Sequence, residues 1–193
     1  MTVTTSRHYS DEQLQVLRLG LCEGIGPLRH HALVDRFGTV SGVFRASRDE
    51  LLSVQGIGPT QASRICQART LAIDSLLSQC QDNDIWLWFR DAPDYPPLLR
   101  EIPDPPLIMF ARGQWEESDK YAIGIVGTRR PTAYGRRQAA RLAASLTEVG
   151  LVVVSGLARG IDATSHQAAL DAGGRTIAVL GSGLLNVYPR EHE

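Results

Sequence analysis

Small polar residues and arginines follow three apolar runs in the C-terminal part of the sequence, and together they have the chemistry of an anion site. Glycines leave backbone N–H groups accessible as donors, hydroxyls add further donors, and arginine forks suit bidentate contact with phosphate. The residues that we predict to bind an anion are Gly127, Thr128, Arg129, Arg130, Ser155, Gly156, Arg159, Gly181, Ser182 and Gly183. Neither a Gly-x-Gly-x-x-Gly turn nor a Gly-Lys-Ser/Thr loop follows the first run, which disfavours dinucleotide binding and Walker-type ATP hydrolysis.

Asp162 and His166 stand close to this cluster and are candidates for acid–base chemistry. Asp162 has two interpretations: it caps the following helix, or it orients Arg129 or Arg159 through an ion pair. We predict that His166 is a structural, hydrogen-bonded histidine. No partner residue stands at metal-ligand spacing, and residue order alone supports no Ser-His-Asp arrangement. We therefore expect no metal, no cofactor and no catalytic residue.

Alternating strand and helix patterns position these residues. Apolar runs at 122–126, 151–154 and 176–180 predict short buried strands, and segments 134–149 and 162–172 predict the helices between them. The β-α-β-α-β order implies a parallel sheet with right-handed crossovers, and such sheets bind ligands at the carboxyl ends of their strands. The first helix would point its positive end towards that edge, which favours anions.

Charge is distributed unevenly, although the whole chain carries a net charge of only −1. Residues 121–193 contain 8 arginines and no lysine against 5 acidic residues, a net charge of +3, whereas residues 1–120 carry 12 basic and 16 acidic residues. Arginine suits both phosphate contact and stacking on bases. Arg136, Arg137 and Arg141 lie on the predicted first helix of the sheet region, where they either face DNA or form a solvated surface.

The first part of the chain has helical patterns, and we predict that Asp11 is the N-cap of its first helix. The region also contains a weak internal repeat. Gly24-Ile25-Gly26-Pro27 and Gly56-Ile57-Gly58-Pro59 stand thirty-two residues apart, each between helical segments. Backbone amides in such turns can hold a DNA phosphate. The surrounding region is acidic, however, and no basic residue directly follows the second turn. DNA contact, protein docking and a purely structural role therefore all stay open.

A proline-rich segment comes after the helices, and its prolines exclude a continuous helix. Apolar runs at 85–89 and 107–110 predict two short strands. We interpret the segment as a connector that packs on the sheet region after it, because a free linker would not carry several large aromatic residues. We therefore predict a helical domain at 1–80 and a sheet domain at 81–193, with 81–120 as its proline-rich entry.

The composition, with 43% hydrophobic and 21% charged residues, is typical of a globular protein. No apolar run approaches the roughly 20 residues that span a bilayer, and residues 1–10 lack an apolar signal core. We therefore expect a cytoplasmic protein with no membrane partner. The three cysteines are far apart, and we expect free, buried or partly buried thiols.

Several long motifs resemble the DNA-processing protein A (DprA/Smf) family. They are residues 124–131 (GIVGTRRP), 134–135, 154–162 (VSGLARGID), 178–183 and 187–189, with further matches at 94–99 and 105–107. The resemblance covers about residues 14–193. It implies a sterile-alpha-motif-like helical domain followed by an extended Rossmann-like domain.

The resemblance also implies a function. The family is bacterial and cytoplasmic, binds and protects single-stranded DNA during natural transformation, loads the RecA recombinase onto it, and has no catalytic activity. By position, its DNA pocket corresponds to Gly127, Thr128, Arg129, Ser155, Gly156 and neighbouring basic residues. The sequence ends at Glu193, before the later pocket lysine and the surface for self-association and RecA contact. We therefore expect an incomplete sheet, and a homodimer for the complete protein rather than for this chain.

Two alternatives to a single-stranded DNA binder stay open. Related folds host nucleotide and sugar-phosphate chemistry, which would need Asp162, His166 or Glu191 as a general acid or base. The other alternative is an interaction module that acts through the N-terminal helices.

Overall fold

A computed structural model describes residues 8–192 of the chain. The chain divides into two compact units, Met1–Gly113 and Gln114–Glu193. The predicted border at residue 80 differs from this division, because the proline-rich segment groups with the helices that precede it. Residues 1–7, which contribute to the expectation of no export signal, lie outside the described residues.

Six helices occupy the stretch between residues 11 and 82. They are α1 (Asp11–Gly20), α2 (Pro27–Phe37), α3 (Val40–Arg45), α4 (Arg48–Leu52), α5 (Pro59–Ala68) and α6 (Asp74–Asp82). The predicted cap at Asp11 is wrong, since the Ser10 hydroxyl accepts the Gln13 amide at 3.2 Å and the Gln13 side chain accepts the Ser10 amide. Asp11 instead begins the helix, where the positive end favours its charge. The core is aliphatic, with Leu19, Leu33, Val43, Leu51 and Ile65 completely buried.

The two Gly-x-Gly turns have equivalent conformations as well as equivalent sequences. Gly24 and Gly56 adopt φ values of +86° and +84°, a region that side-chain-bearing residues rarely occupy. Gly26 and Gly58 are the N-caps of α2 and α5. Arg29 connects the turns, because its Nε donates to the Gly56 carbonyl at 2.9 Å and its Nη1 donates to the Gly24 carbonyl at 2.6 Å. The repeat is thus a pair of helix–turn–helix units tied together by one side chain.

The proline-rich segment contains an antiparallel hairpin of the two predicted strands. Its elements are β1 (Ile85–Phe89), the short helix α7 (Pro97–Arg100) and β2 (Ile108–Arg112). The Leu87 amide donates to the Tyr9 hydroxyl at 3.1 Å, and the Phe89 ring packs edge-on against the Tyr9 ring. These contacts hold the hairpin to the start of the helical unit, which explains why it belongs there.

The second unit has the predicted β-α-β-α-β order. Its elements are β3 (Ala122–Gly124), α8 (Ala133–Glu148), β4 (Val152–Ser155), α9 (Ile161–Asp171) and β5 (Thr176–Ala178). The strands are parallel in the order β3-β4-β5, with Ile123 opposite Val153 and Val153 opposite Thr176. Helices α8 and α9 pack against each other and against β4. The core between helices and sheet contains Ile125, Ala143, Val153 and Ala169. The predicted helical domain with a parallel-sheet α/β domain is therefore confirmed.

An ion-pair cluster fixes the entry into this sheet. Arg175, just before β5, donates to both carboxylate oxygens of the buried Asp119 at 2.6 and 3.0 Å and pairs with Glu116 at 3.0 Å. Asp119 lies in the 3-10 turn Glu117–Tyr121 that leads into β3. The cluster joins both edges of the three-stranded sheet. It also occupies one of the eight arginines of the basic excess.

Candidate nucleic-acid interface

The carboxyl ends of β3, β4 and β5 meet at one edge of the parallel sheet, as the sequence predicts. We call the residues just beyond them the strand-end surface: Gly127, Thr128, Arg129, Arg130, Ser155, Gly156, Gly181, Ser182 and Gly183. Backbone contacts bring the loops together, because Ile125 donates to the Val154 carbonyl at 2.9 Å and Val179 donates to the Ser155 carbonyl at 2.8 Å. Residues 181–183 are exposed.

Asp162 holds two of these loops together. Its buried carboxylate accepts the Gly127 amide at 3.3 Å through one oxygen and the Gly156 amide at 3.2 Å through the other. Both interpretations of Asp162 from sequence are wrong: Gly160 is the N-cap of α9, and Asp162 pairs with neither Arg129 nor Arg159. The amides of Gly127 and Gly156 are therefore engaged inside the protein rather than available to an anion.

The glycines of the first two loops serve close packing between the loops. A Cβ at Gly160, where φ is +90°, would lie 2.3 Å from the Thr128 carbonyl oxygen, and one at Gly127 would lie 2.7 Å from the Ile161 side chain. By contrast, a Cβ at Gly181 or Gly183 would meet no atom within 4 Å. Only the third loop keeps the open glycine backbone that we expect at all three.

The three hydroxyls of the strand-end surface differ in their availability. Ser155 is buried, and its Oγ donates to the Ile125 carbonyl at 2.5 Å, so it ties β4 to β3. The expectation that Ser155 offers a donor to a ligand is therefore wrong for this structure. Thr128 is exposed, and its Oγ1 accepts the Arg130 amide at 3.2 Å. Ser182 is exposed in the open third loop.

The arginines provide the accessible positive charge. Arg129 and Arg130 are exposed, and neither has an ion-pair partner among residues 8–192. Arg159 is also exposed, but its Nε lies 2.7 Å from a carboxylate oxygen of Glu191, and its guanidinium lies 5.8 Å from the centre of the Tyr188 ring. The hydrogen bond between Arg159 and Glu191 raises the pKa of Arg159 and lowers the pKa of Glu191.

His166 is placed for a structural role, as predicted. It is buried, its Nδ1 lies 2.6 Å from the Thr176 hydroxyl, and burial lowers its pKa, which keeps the ring neutral. Among the described residues, no three His, Cys, Asp or Glu side chains cluster closely enough to hold a metal ion. Cys22 and Cys80 are buried and Cys66 is partly buried, as we expect.

Three features of this unit are not predicted by the sequence. Asp162 engages two amides, Arg175 is taken up by Asp119, and Glu191 covers Arg159. The last pair joins positions thirty-two residues apart in the sequence, so no local spacing indicates it. Arg136, Arg137 and Arg141 are all exposed on α8, which leaves both of their sequence interpretations open. In the part of the chain that is described, no helix has the length and apolar character to cross a bilayer.

Comparison with known proteins connects this architecture to a family. The family model for DNA recombination-mediator protein A matches residues 86–193, and the model for a SAM-like helix-hairpin-helix tandem matches residues 19–69. The first match begins inside β1 and so joins the hairpin to the sheet, whereas the compact units join it to the helices. The domain border at residue 80 stays a prediction.

Individual relatives agree with these matches. Protein Smf of Synechocystis is 35% identical over 95% of this chain and 47% of its own length, and DNA processing protein DprA of Bacillus subtilis is 48% identical over 51% and 33%. The X-ray structure of DprA from Streptococcus pneumoniae superposes with a TM-score of 0.70 at 26% identity, covering 97% of this chain and 63% of that one. The chain spans about half the length, or less, of the curated relatives that it matches. Because a family model matches more than half of its residues and its fold matches a solved member, the chain belongs to the DNA recombination-mediator protein A (DprA/Smf) family.

Proposed function

We propose that this chain is a non-enzymatic binder of single-stranded DNA, which it holds through the strand-end surface. The observation that carries the proposal is the exposed pair Arg129 and Arg130, without ion-pair partners among residues 8–192, in a segment that contains no acidic residue between Tyr121 and Thr147. Such arginines suit phosphate contact without base recognition. The choice of single-stranded DNA rests on family membership.

The structure changes which groups would make the contacts. With two glycine amides bonded to Asp162 and the Ser155 hydroxyl turned inward, binding depends on Arg129, Arg130, the Thr128 hydroxyl and the open loop at residues 181–183. The same facts weigh against a nucleotide-processing enzyme. Asp162 already accepts two backbone amides, His166 is hydrogen-bonded to Thr176, and Glu191 is paired with Arg159.

The larger role that we propose is that of the family: a cytoplasmic protein of natural transformation that protects incoming DNA and loads RecA, and that forms a homodimer when complete. Nucleation of RecA filaments on oligonucleotides coated with this protein would measure the loading activity. A mononucleotide turnover assay would detect the enzymatic alternative.

DNA binding is tested with labelled oligothymidine and fluorescence anisotropy at two salt concentrations. The variant Arg129→Ala should bind more weakly by about 1–3 kcal/mol, because a charge-assisted contact is lost. For this variant, the slope of log affinity against log salt concentration should decrease in magnitude by about 0.7 for each phosphate contact removed. Arg45→Ala, at an exposed arginine of α3, is the matched control and should leave affinity and salt slope unchanged. Unchanged binding by Arg129→Ala would show that the site has been placed wrongly.

A further inference from the structure

One face of α8 carries an exposed aromatic residue and two arginines in line. Tyr134, Arg137 and Arg141 have i, i+3, i+7 spacing, which places them on the same side of a helix. The opposite side holds the buried residues Ala139 and Ala143, and Ala143 packs in the core with Val153 of β4 and Ala169 of α9. Tyr134 is 65% exposed. We call Tyr134, Arg137 and Arg141 the α8 stripe.

The α8 stripe is uncompensated in charge. Its two arginines, like Arg129 and Arg130, have no ion-pair partner among the described residues, and no acidic residue occurs before Glu148 on this helix. Four other arginines of the described residues do have ion-pair partners. Arg64 pairs with Glu23, Arg90 with Asp91, Arg159 with Glu191 and Arg175 with Asp119. A run of unpaired guanidiniums along one surface is complementary to a polyanion rather than to a basic or neutral partner.

The α8 stripe is also continuous with the strand-end surface. Only Pro131 and the N-cap Thr132 separate Arg130 from α8, and Tyr134 lies in its first turn. At 1.5 Å per residue, the distance along the helix from Tyr134 to Arg141 is about 10 Å, enough for roughly two to three nucleotides of a strand.

We propose that the α8 stripe extends the DNA-binding surface beyond the strand ends, with a base stacked on Tyr134 and the following phosphates on Arg137 and Arg141. This inference rests on the proposed function and adds a direction to it: the strand leaves the sheet edge along α8. Stacking on an exposed tyrosine tolerates any base, in keeping with binding that ignores sequence.

The test compares oligothymidines of increasing length on the whole chain. The double variant Arg137→Ala/Arg141→Ala should bind the longer oligonucleotides about tenfold more weakly, with a salt slope smaller by about 1.4. Its affinity for the shortest oligonucleotide that depends on Arg129 should change less than twofold. Tyr134→Ala should lose about tenfold in affinity at an unchanged salt slope, and Tyr134→Phe should restore it.

Arg136→Ala is the matched control, because Arg136 is an exposed arginine of the same helix outside the α8 stripe. It should change affinity less than twofold, and an equal loss in it and in the double variant would overturn the inference. Circular dichroism melting of each variant separates a loss of contact from a loss of fold. If binding depends on Arg129 but is untouched by the α8 stripe variants, the inference is wrong and the proposed function stands. If the unmodified chain binds no oligonucleotide, both are wrong.

Discussion

Asp162 shows at the scale of a single residue how the strand ends are built. Its carboxylate accepts two amides from loops that extend from different strands, and it is only 6% exposed. The family motif contains this residue, but its contacts depend on where the loop of β3 lies in space. The acidic residue thus organises the backbone beside the arginines and does not pair with them.

The variant Asp162→Ala should lower the free energy of unfolding by about 2–4 kcal/mol, because two buried amides lose their acceptor. Urea denaturation followed by circular dichroism measures the change. Asp171→Ala, at an exposed aspartate at the end of the same helix, should change it by less than about 0.5 kcal/mol. Equal stability of the Asp162 variant and its parent would contradict the two-amide role.

At the scale of elements, the segment after β5 returns to the loop between β4 and α9. Glu191 pairs with Arg159 there, and the His192 Nδ1 lies 2.8 Å from the Leu157 carbonyl. Both side chains of the ion pair are more than half exposed, so another anion can readily replace Glu191 beside Arg159. A DNA phosphate would compete with Glu191 for the Arg159 guanidinium.

If Arg159 contacts DNA as we predict, Glu191→Gln should raise the affinity for oligothymidine about two- to fivefold, because the competing carboxylate is removed. Anisotropy titration at low salt is the measurement. In an Arg159→Ala background the same substitution should have no effect. A gain that persists without Arg159 would mean that Glu191 acts only through general repulsion.

For the whole molecule, acid stability depends on a buried histidine in the helical unit. His30 on α2 is 5% exposed, and neither ring nitrogen has a hydrogen-bond partner in the part of the chain that the structure describes. Burial, and to a smaller extent the charges of Arg90 and His31, lower its pKa to about 4, while Asp91 opposes the shift. Between pH 6.5 and 4, His30 is therefore protonated in the unfolded chain but neutral in the folded chain.

The stability that neutral His30 maintains is complete above pH 6.5 and is lost as the pH falls towards 4. We expect its loss to account for roughly 2–3 kcal/mol between pH 7 and 4.5. Urea midpoints at the two pH values measure the loss, which His30→Leu should largely abolish. His31→Leu, at its exposed neighbour, should keep most of the pH dependence of the parent, because the charge of His31 contributes least to the pKa shift of His30. If both variants behave like the parent, another group is responsible.

The order of the elements and the surface that carries the candidate site can be predicted from the sequence alone. The strands around Ile123, Val153 and Ile177 and the helices between them follow from local apolar periodicity, and parallel connection then requires their ends to share one edge. The repeated turns at Gly24 and Gly56 can also be predicted from the sequence, because a positive φ restricts the residue type.

Which groups at that edge are accessible follows from the tertiary structure and not from local sequence. Whether a glycine amide faces solvent or Asp162, whether Ser155 points outward or to Ile125, and whether Arg159 is paired with Glu191 depend on residues distant in sequence. The grouping of the hairpin with the helices has the same origin, in the contact between Tyr9 and Leu87. Periodicity specifies which side of an element is buried, whereas hydrogen-bond partners are set by the distances that folding creates.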